Sequence, residues 1–298
     1  MVRLLRSALA ACLILAACPA PARPVHARHA AARPTPARSA PVSELVIDAG
    51  SGHTLYAADA DRRRPVASLT KMMTLLLAFD ALDAGRIAPG DRLAMTAEGV
   101  RQAPSRLGLR VGQAVSVDDA VRAIAVISAN DVAVALADRL AGSEATFVRA
   151  MDRRAKEIGM TGTQFGNATG LPTHAGFSTA RDMAVLARYL VGHYPARYRL
   201  FATRSIRFGG RTRPNHNQLL GKVAGVDGLK TGYTVPAGFN LAASARRRDK
   251  RVIVVVLGAR TASSRDLLVA NLLEAGFTSP PRTRLPDRRG TGGGRRQR

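Results

Sequence analysis

The stretch Phe239–Ala259, "FNLAASARRRDKRVIVVVLGA", decides the fold class. It opens with an alternating strand pattern, passes through the charged run Arg246–Arg251, and ends in the apolar run Val252–Leu257. That is a β-hairpin whose second strand is apolar enough to be buried on both faces. Outward from it, "SSRDLLVANLLEAGF" (Ser263–Phe277) reads as a closing helix, and "GLKTGYT" (Gly228–Thr234) as a strand. At the other end, "SELVIDAGSGHTLYAADAD" (Ser43–Asp61) reads as two short strands around a Gly-Ser-Gly turn. Between these ends the period is helical. In Ala67–Leu82, "ASLTKMMTLLLAFDAL", the residues Leu69, Met72, Met73, Leu76, Phe79 and Leu82 share a spacing, and Gly85 is a stop signal. "SVDDAVRAIAVISANDVAVALADRL" gives two helical runs interrupted near Ser128–Asn130, and "STARDMAVLARYL" gives another, with Thr179 and Asp182 spaced as a capping pair. Terminal strands around a helical middle make an α+β domain with an antiparallel sheet flanked by helices.

The 298 residues carry a formal net charge of +24. Half of it lies at the ends, with six arginines and no acid before residue 43 and seven arginines with Asp287 after residue 280. A basic body suits an anionic substrate or surface. Aromatics are only 4% and tryptophan is absent, so stacking platforms for nucleic acid are poorly supported and no nucleic-acid partner is expected. His53, His174, His193 and His216 show no metal-ligand spacing, so no metal and no cofactor is expected. The Arg246–Arg251 run reads most simply as a solvated turn.

Residues 1–27 read as an export signal, with Arg3 and Arg6 before a short apolar segment and "VHA" as the cleavage site. "LAAC" (Leu15–Cys18) offers a second reading, a lipoprotein signal that anchors the chain through a lipid on Cys18. Either places the body outside the cytoplasm, in the periplasm or its equivalent. Residues 28–42 are an Ala/Pro/Arg linker, and residues 278–298 a polar, basic tail expected to be disordered. Contact of that tail with anionic wall polymer or membrane surface and a tail that binds nothing are equally compatible with its composition.

Three short motifs carry the chemistry: "SLTK" (Ser68–Lys71), "SAN" (Ser128–Asn130) and "KTG" (Lys230–Gly232). Ser-x-x-Lys alone arises roughly once per chain of this size by chance, and Lys-Thr-Gly in ~5% of chains. Their conjunction is far more specific. The chain holds five lysines against forty arginines, yet two of the five, Lys71 and Lys230, fall in motifs. Arginine stays protonated, whereas a buried lysine can lose its proton and act as a base. Ser68 at a helix start and Lys71 three residues later lie on one face. The helix N-terminus and desolvation both lower the lysine pKa. The bland alternatives are that Ser68 only caps the helix, that Asn130 caps the next one, and that Lys-Thr-Gly is a strand-end turn. Gly232 would let another backbone, such as an extended peptide, approach closely.

Together with the flanks "SANDVAVALA", "GNATGLP", "VDGLKTGYT" and "GFNLAASA", these motifs resemble the penicillin-recognising serine enzymes, and most closely the D-alanyl-D-alanine carboxypeptidases of peptidase family S11. The resemblance runs over residues 43–277 and implies a β-lactamase/transpeptidase-like fold. It implies Ser68 as acylated nucleophile, Lys71 as general base and Ser128 as proton relay. Asn130 would orient the acyl chain, while Lys230, Thr231 and Gly232 would bind substrate on the carboxylate side. The backbone N–H groups of Ser68 and Tyr233 would form the oxyanion hole. Tyr233 stands where some relatives carry histidine. The implied substrate is a peptidoglycan stem peptide ending in D-Ala-D-Ala, with β-lactams as covalent inhibitors. Many such enzymes carry a second strand-rich domain and a C-terminal amphipathic helix; the expectation here is one domain without that anchor. A D-alanyl-D-alanine endopeptidase shares the motifs. So does a serine β-lactamase, but Glu144 and Glu157, the only glutamates between the second and third motifs, do not sit in a Glu-x-x-Leu-Asn pattern. The non-enzyme alternative is a basic wall-binding protein.

Overall fold

The computed structural model describes residues 41–278. The expected signal, the linker up to residue 40, Cys18 and the tail from residue 279 lie outside the described residues. In chain order, β1 (Ser43–Asp48) and β2 (Thr54–Ala58) form a hairpin. A 3-10 turn (Ala67–Thr70) then runs into α1 (Lys71–Asp83). There follow β3 (Arg92–Ala94), α2 (Ala97–Arg101), β4 (Ala114–Ser116), α3 (Val117–Ile127), α4 (Asn130–Ala141) and α5 (Glu144–Glu157). After α6 (Ala180–His193) and α7 (Pro195–Tyr198) come β5 (Ser205–Phe208) and β6 (Arg211–Pro214). The chain closes with β7 (Val226–Thr234), β8 (Gly238–Arg247), β9 (Lys250–Ala259) and α8 (Ala262–Thr278).

The terminal strands form one antiparallel sheet in the order β2-β1-β9-β8-β7. Strand β9 is central, and Val252–Leu257 is wholly buried, as its unbroken apolar run requires. Its alternate residues serve two cores. Ile253, Val255 and Leu257 join Leu45, Ile47 and the helical middle, whereas Val252, Val254 and Val256 join Val46, Leu241, Val269 and Leu273 under α8. A Cβ on Gly276 would lie 2.7 Å from a Val252 methyl, so this glycine lets α8 settle close to the sheet.

Local signals act as their chemistry dictates. Gly85, with φ +66°, follows α1 as a left-handed terminator and donates to the Leu82 carbonyl. The Thr179 hydroxyl accepts from the Asp182 N–H at 3.0 Å and caps α6. The Asp182 carboxylate turns away, to the Gly162 N–H and the Thr163 hydroxyl.

Three expectations change. The helix expected from Ala67 is two pieces, because Ala67 takes the left-handed region (φ 49°) and the next residues wind as 3-10 against β7. The charged hairpin turn is not simply solvated: Arg247 pairs with Glu274 of α8, and Arg251 binds Asp227 at 2.7 Å and Ser244 Oγ at 2.7 Å. The two-stranded ribbons β3–β4 and β5–β6 are additional elements. Among the described residues no helix is long and apolar enough to cross a membrane.

Candidate active site

Lys71 is the first residue of α1 and is wholly buried. Its Nζ donates to Ser68 Oγ at 2.9 Å and to the Thr169 carbonyl at 2.6 Å. Burial, and then the positive charge of Lys230, hold its pKa well below the usual lysine value. The 3-10 turn brings Ser68 over this amine, and the serine caps no helix, since α1 has no side-chain cap. The Thr169 carbonyl is itself held in place. Asn167 Oδ1 accepts from the Thr169 N–H (3.1 Å) and the Gly170 N–H (2.6 Å). The flanking Ala168 accepts from the Thr74 hydroxyl at 2.7 Å, and its N–H donates to Glu144 at 2.9 Å. Glu144 thus supports the loop behind the lysine.

Ser128 links α3 to α4 in the left-handed region, with φ 59°. A serine there costs ~1–2 kcal/mol, and such strain concentrates at functional positions. Its buried Oγ has no partner, nor does Asn130 Oδ1. Asn130 is not the cap of α4, a place taken by Ala129; its Nδ2 donates to the Ala103 carbonyl at 3.1 Å. Next to it, the Asp131 carboxylate accepts from the Leu107 N–H (2.9 Å) and the Gly108 N–H (2.8 Å), anchoring the 103–108 loop beside the site.

The third motif lies on β7, an edge strand of the sheet. Lys230 is buried, donates to the Thr231 carbonyl at 3.0 Å, and is pushed down to about 7 by burial and then by Arg265. A Cβ on Gly232 would stand 2.9 Å from the Ser68 nitrogen. The backbone that this glycine admits is the chain's own nucleophile turn. The Tyr233 ring is 52% exposed and stacks on Phe239 at 4.2 Å, at the rim.

Ser68, Ser128, Asn130, Thr231, Gly232 and Tyr233 line one cleft of about 390 Å³. Lys71 and Lys230 are buried behind it. A larger depression, about 730 Å³, lies between the β1–β2 turn, α6 and the β8–β9 turn, but none of the three motifs reaches it. Two basic residues outside the three motifs also line the smaller cleft. Arg265 of α8 is buried there, ion-paired with Asp266 at 2.7 Å. His216 faces the cleft from the β6–β7 connection. Desolvation, then the charges of Lys230, Lys71 and Arg213, lower its pKa to about 4. Scattered spacing gave no sign of either; only the unusual burial of a charged residue on an outer helix marks Arg265.

The fold thus brings a buried serine–lysine pair, a second serine and a lysine–threonine edge strand together at one cleft. The sequence profile of the D-alanyl-D-alanine carboxypeptidase family, peptidase S11, matches residues 29–261. The chain belongs to this family. It is 36% identical over 241 residues to the D-alanyl-D-alanine carboxypeptidase DacF of Bacillus subtilis, covering 79% of this chain and 62% of that relative. The chain thus spans less than two thirds of that relative's length. Penicillin-binding protein 5 of Haemophilus influenzae superposes with a TM-score of 0.77 at 35% identity, over 79% of this chain and 70% of the other. Penicillin-binding protein D2 of Listeria monocytogenes, in its ampicillin-bound form, superposes with a TM-score of 0.70 at 33% identity, over 79% and 96%. The fold of these penicillin-binding proteins is therefore the fold of this chain, as the resemblance implied.

Proposed function

We propose that residues 43–277 form a serine D-alanyl-D-alanine carboxypeptidase that removes the terminal D-alanine of peptidoglycan stem peptides. The observation that carries this reading is the buried Lys71 amine, 2.9 Å from Ser68 Oγ at a cleft shared with the other two motifs. With the amine neutral, the serine hydroxyl gives its proton to the nitrogen lone pair as Oγ attacks the penultimate D-alanyl carbonyl. The developing oxyanion accepts from the Ser68 and Tyr233 N–H groups, a placement supported by the close approach of Gly232 to the Ser68 nitrogen. Such donors are each worth ~3–4 kcal/mol. Ser128 passes the proton to the departing D-alanine nitrogen, the C–N bond breaks, and an ester to Ser68 remains. Water hydrolyses the ester and frees the enzyme. Asn130, with its unpartnered Oδ1, accepts from the acyl-side amide. Thr231 and the Lys230 ammonium bind the terminal carboxylate, and Arg265 adds charge from α8. By its N-terminal leader the chain acts outside the cytoplasm, and its basic ends suit anionic wall polymer or lipid headgroups.

Intact mass after incubation with benzylpenicillin tests the mechanism. Addition of one whole penicillin to the native chain and none to Ser68→Ala is expected, together with release of one D-alanine from a D-Ala-D-Ala pentapeptide. A folded chain that takes no adduct, or an adduct that persists in Ser68→Ala, overturns it. Rapid turnover of penicillin would indicate a β-lactamase instead.

A further inference from the structure

A second cavity of about 290 Å³ adjoins the catalytic cleft. Pro104, Ser105 and His216 line both, so the two share a wall. The second is lined also by Ile127, which precedes Ser128, and by Arg106 and Arg213. No carboxylate lines it. Among the described residues neither arginine makes an ion pair. Arg213 is clamped by neutral acceptors: it donates to the Arg106 carbonyl at 2.6 Å and the Leu107 carbonyl at 3.4 Å, and its buried Nε has no partner. Arg106 donates to the Val100 carbonyl at 3.0 Å. The loop that carries Arg106 is anchored by Asp131. Two guanidinium charges are therefore held in place beside an open cavity without a counter-ion. Carboxylates and phosphates are the anions that a guanidinium binds best, and a peptide substrate supplies the former.

We propose that this pocket is a second carboxylate subsite, in which Arg213 and Arg106 bind an acidic group of the peptide substrate other than its C-terminus. The inference rests on the carboxypeptidase reading. It makes peptides with a free additional carboxylate the preferred substrates, and their amidated counterparts poorer ones. The acid can belong to the acyl peptide or to the leaving residue, and each source has its own substrate pair.

The experiment compares kcat/KM within two pairs at low salt. The first is γ-D-Glu-L-Lys-D-Ala-D-Ala against the D-isoglutaminyl peptide. The second is diacetyl-L-Lys-D-Ala-D-Glu against diacetyl-L-Lys-D-Ala-D-Gln. A preference for the acid of about tenfold, ~1.4 kcal/mol, is expected in one pair, and that pair assigns the source. The ratio should fall to about one in Arg213→Gln, weaken in Arg106→Gln, and return in Arg213→Lys. A variant that merely loosens the loop lowers both members of a pair and leaves the ratio intact, which counts against the subsite. Ratios near one in both pairs for the native chain, or a preference that survives both glutamine variants, overturn it. Penicillin acylation with ratios near one defeats the subsite alone; absence of both acylation and D-alanine release defeats the carboxypeptidase reading.

Discussion

At the scale of single residues, the proposed mechanism depends on lysine being able to do what arginine does not. Both buried lysines have depressed pKa values, Lys71 by burial and Lys230, and Lys230 by burial and Arg265. In the proposed mechanism the two need opposite states. Lys71 must be neutral to take the Ser68 proton, so acylation falls as pH drops through its lowered pKa. Lys230 must be charged to attract a carboxylate, so acylation falls as pH rises through about 7. The penicillin acylation rate should follow a bell-shaped pH profile. Lys230→Arg should flatten the alkaline limb, because a guanidinium keeps its proton. An unchanged alkaline limb in that variant would assign it to another group. Lys71→Arg should slow acylation by ~10²–10⁴, the usual worth of a general base. A rate within threefold of the native chain would remove Lys71 from that role.

At the scale of elements, the site rests on a loop and a turn that cannot move independently. Gly170 has φ +77°, and a Cβ there would meet the Ala67 carbonyl oxygen at 1.9 Å. The loop that holds the Thr169 carbonyl on Lys71 is thus pressed against the turn that carries Ser68. Gly170→Ala should cost ~2–4 kcal/mol in stability and slow acylation at least tenfold. Gly85→Ala is the control: its φ is +66° but nothing lies within 4 Å of the added methyl. It should cost only ~1 kcal/mol and leave acylation unchanged. Urea unfolding and the penicillin acylation rate, measured on both, check the pair. Equal acylation rates in the two variants would show that the loop does not position the amine.

At the scale of the whole molecule, 45 basic side chains stand against 21 acidic ones. Most ion pairs of the described residues have an exposed partner, as in Arg181–Asp61 and Arg122–Asp118, and such pairs contribute little. Self-repulsion should therefore dominate the salt response. Raising ionic strength from ~0.01 to ~0.15 M should raise Tm by a few degrees, because screening weakens repulsion between exposed charges. A fall in Tm would mean that the ion pairs outweigh the repulsion.

The sequence by itself determined the strand pattern of the ends, the buried centre of β9, the capped α6, the stop at Gly85 and the serine–lysine spacing. These are local facts: periodicity reports which face is buried, and a separation of three residues keeps two side chains close, here through a 3-10 turn rather than the expected helix. Only the tertiary structure decided that Arg265 and His216 enter the cleft, that Gly232 makes room for the Ser68 turn, and that Arg251 is tied to Asp227. It also decided the ribbons β3–β4 and β5–β6, whose strands of three or four residues are too short to show a period. Residues 68, 128, 216, 231 and 265 meet at one cleft because an edge strand, a helix break and a closing helix pack on two faces of one sheet. No spacing along the chain encodes that convergence; it is set by which surfaces the apolar cores bring together.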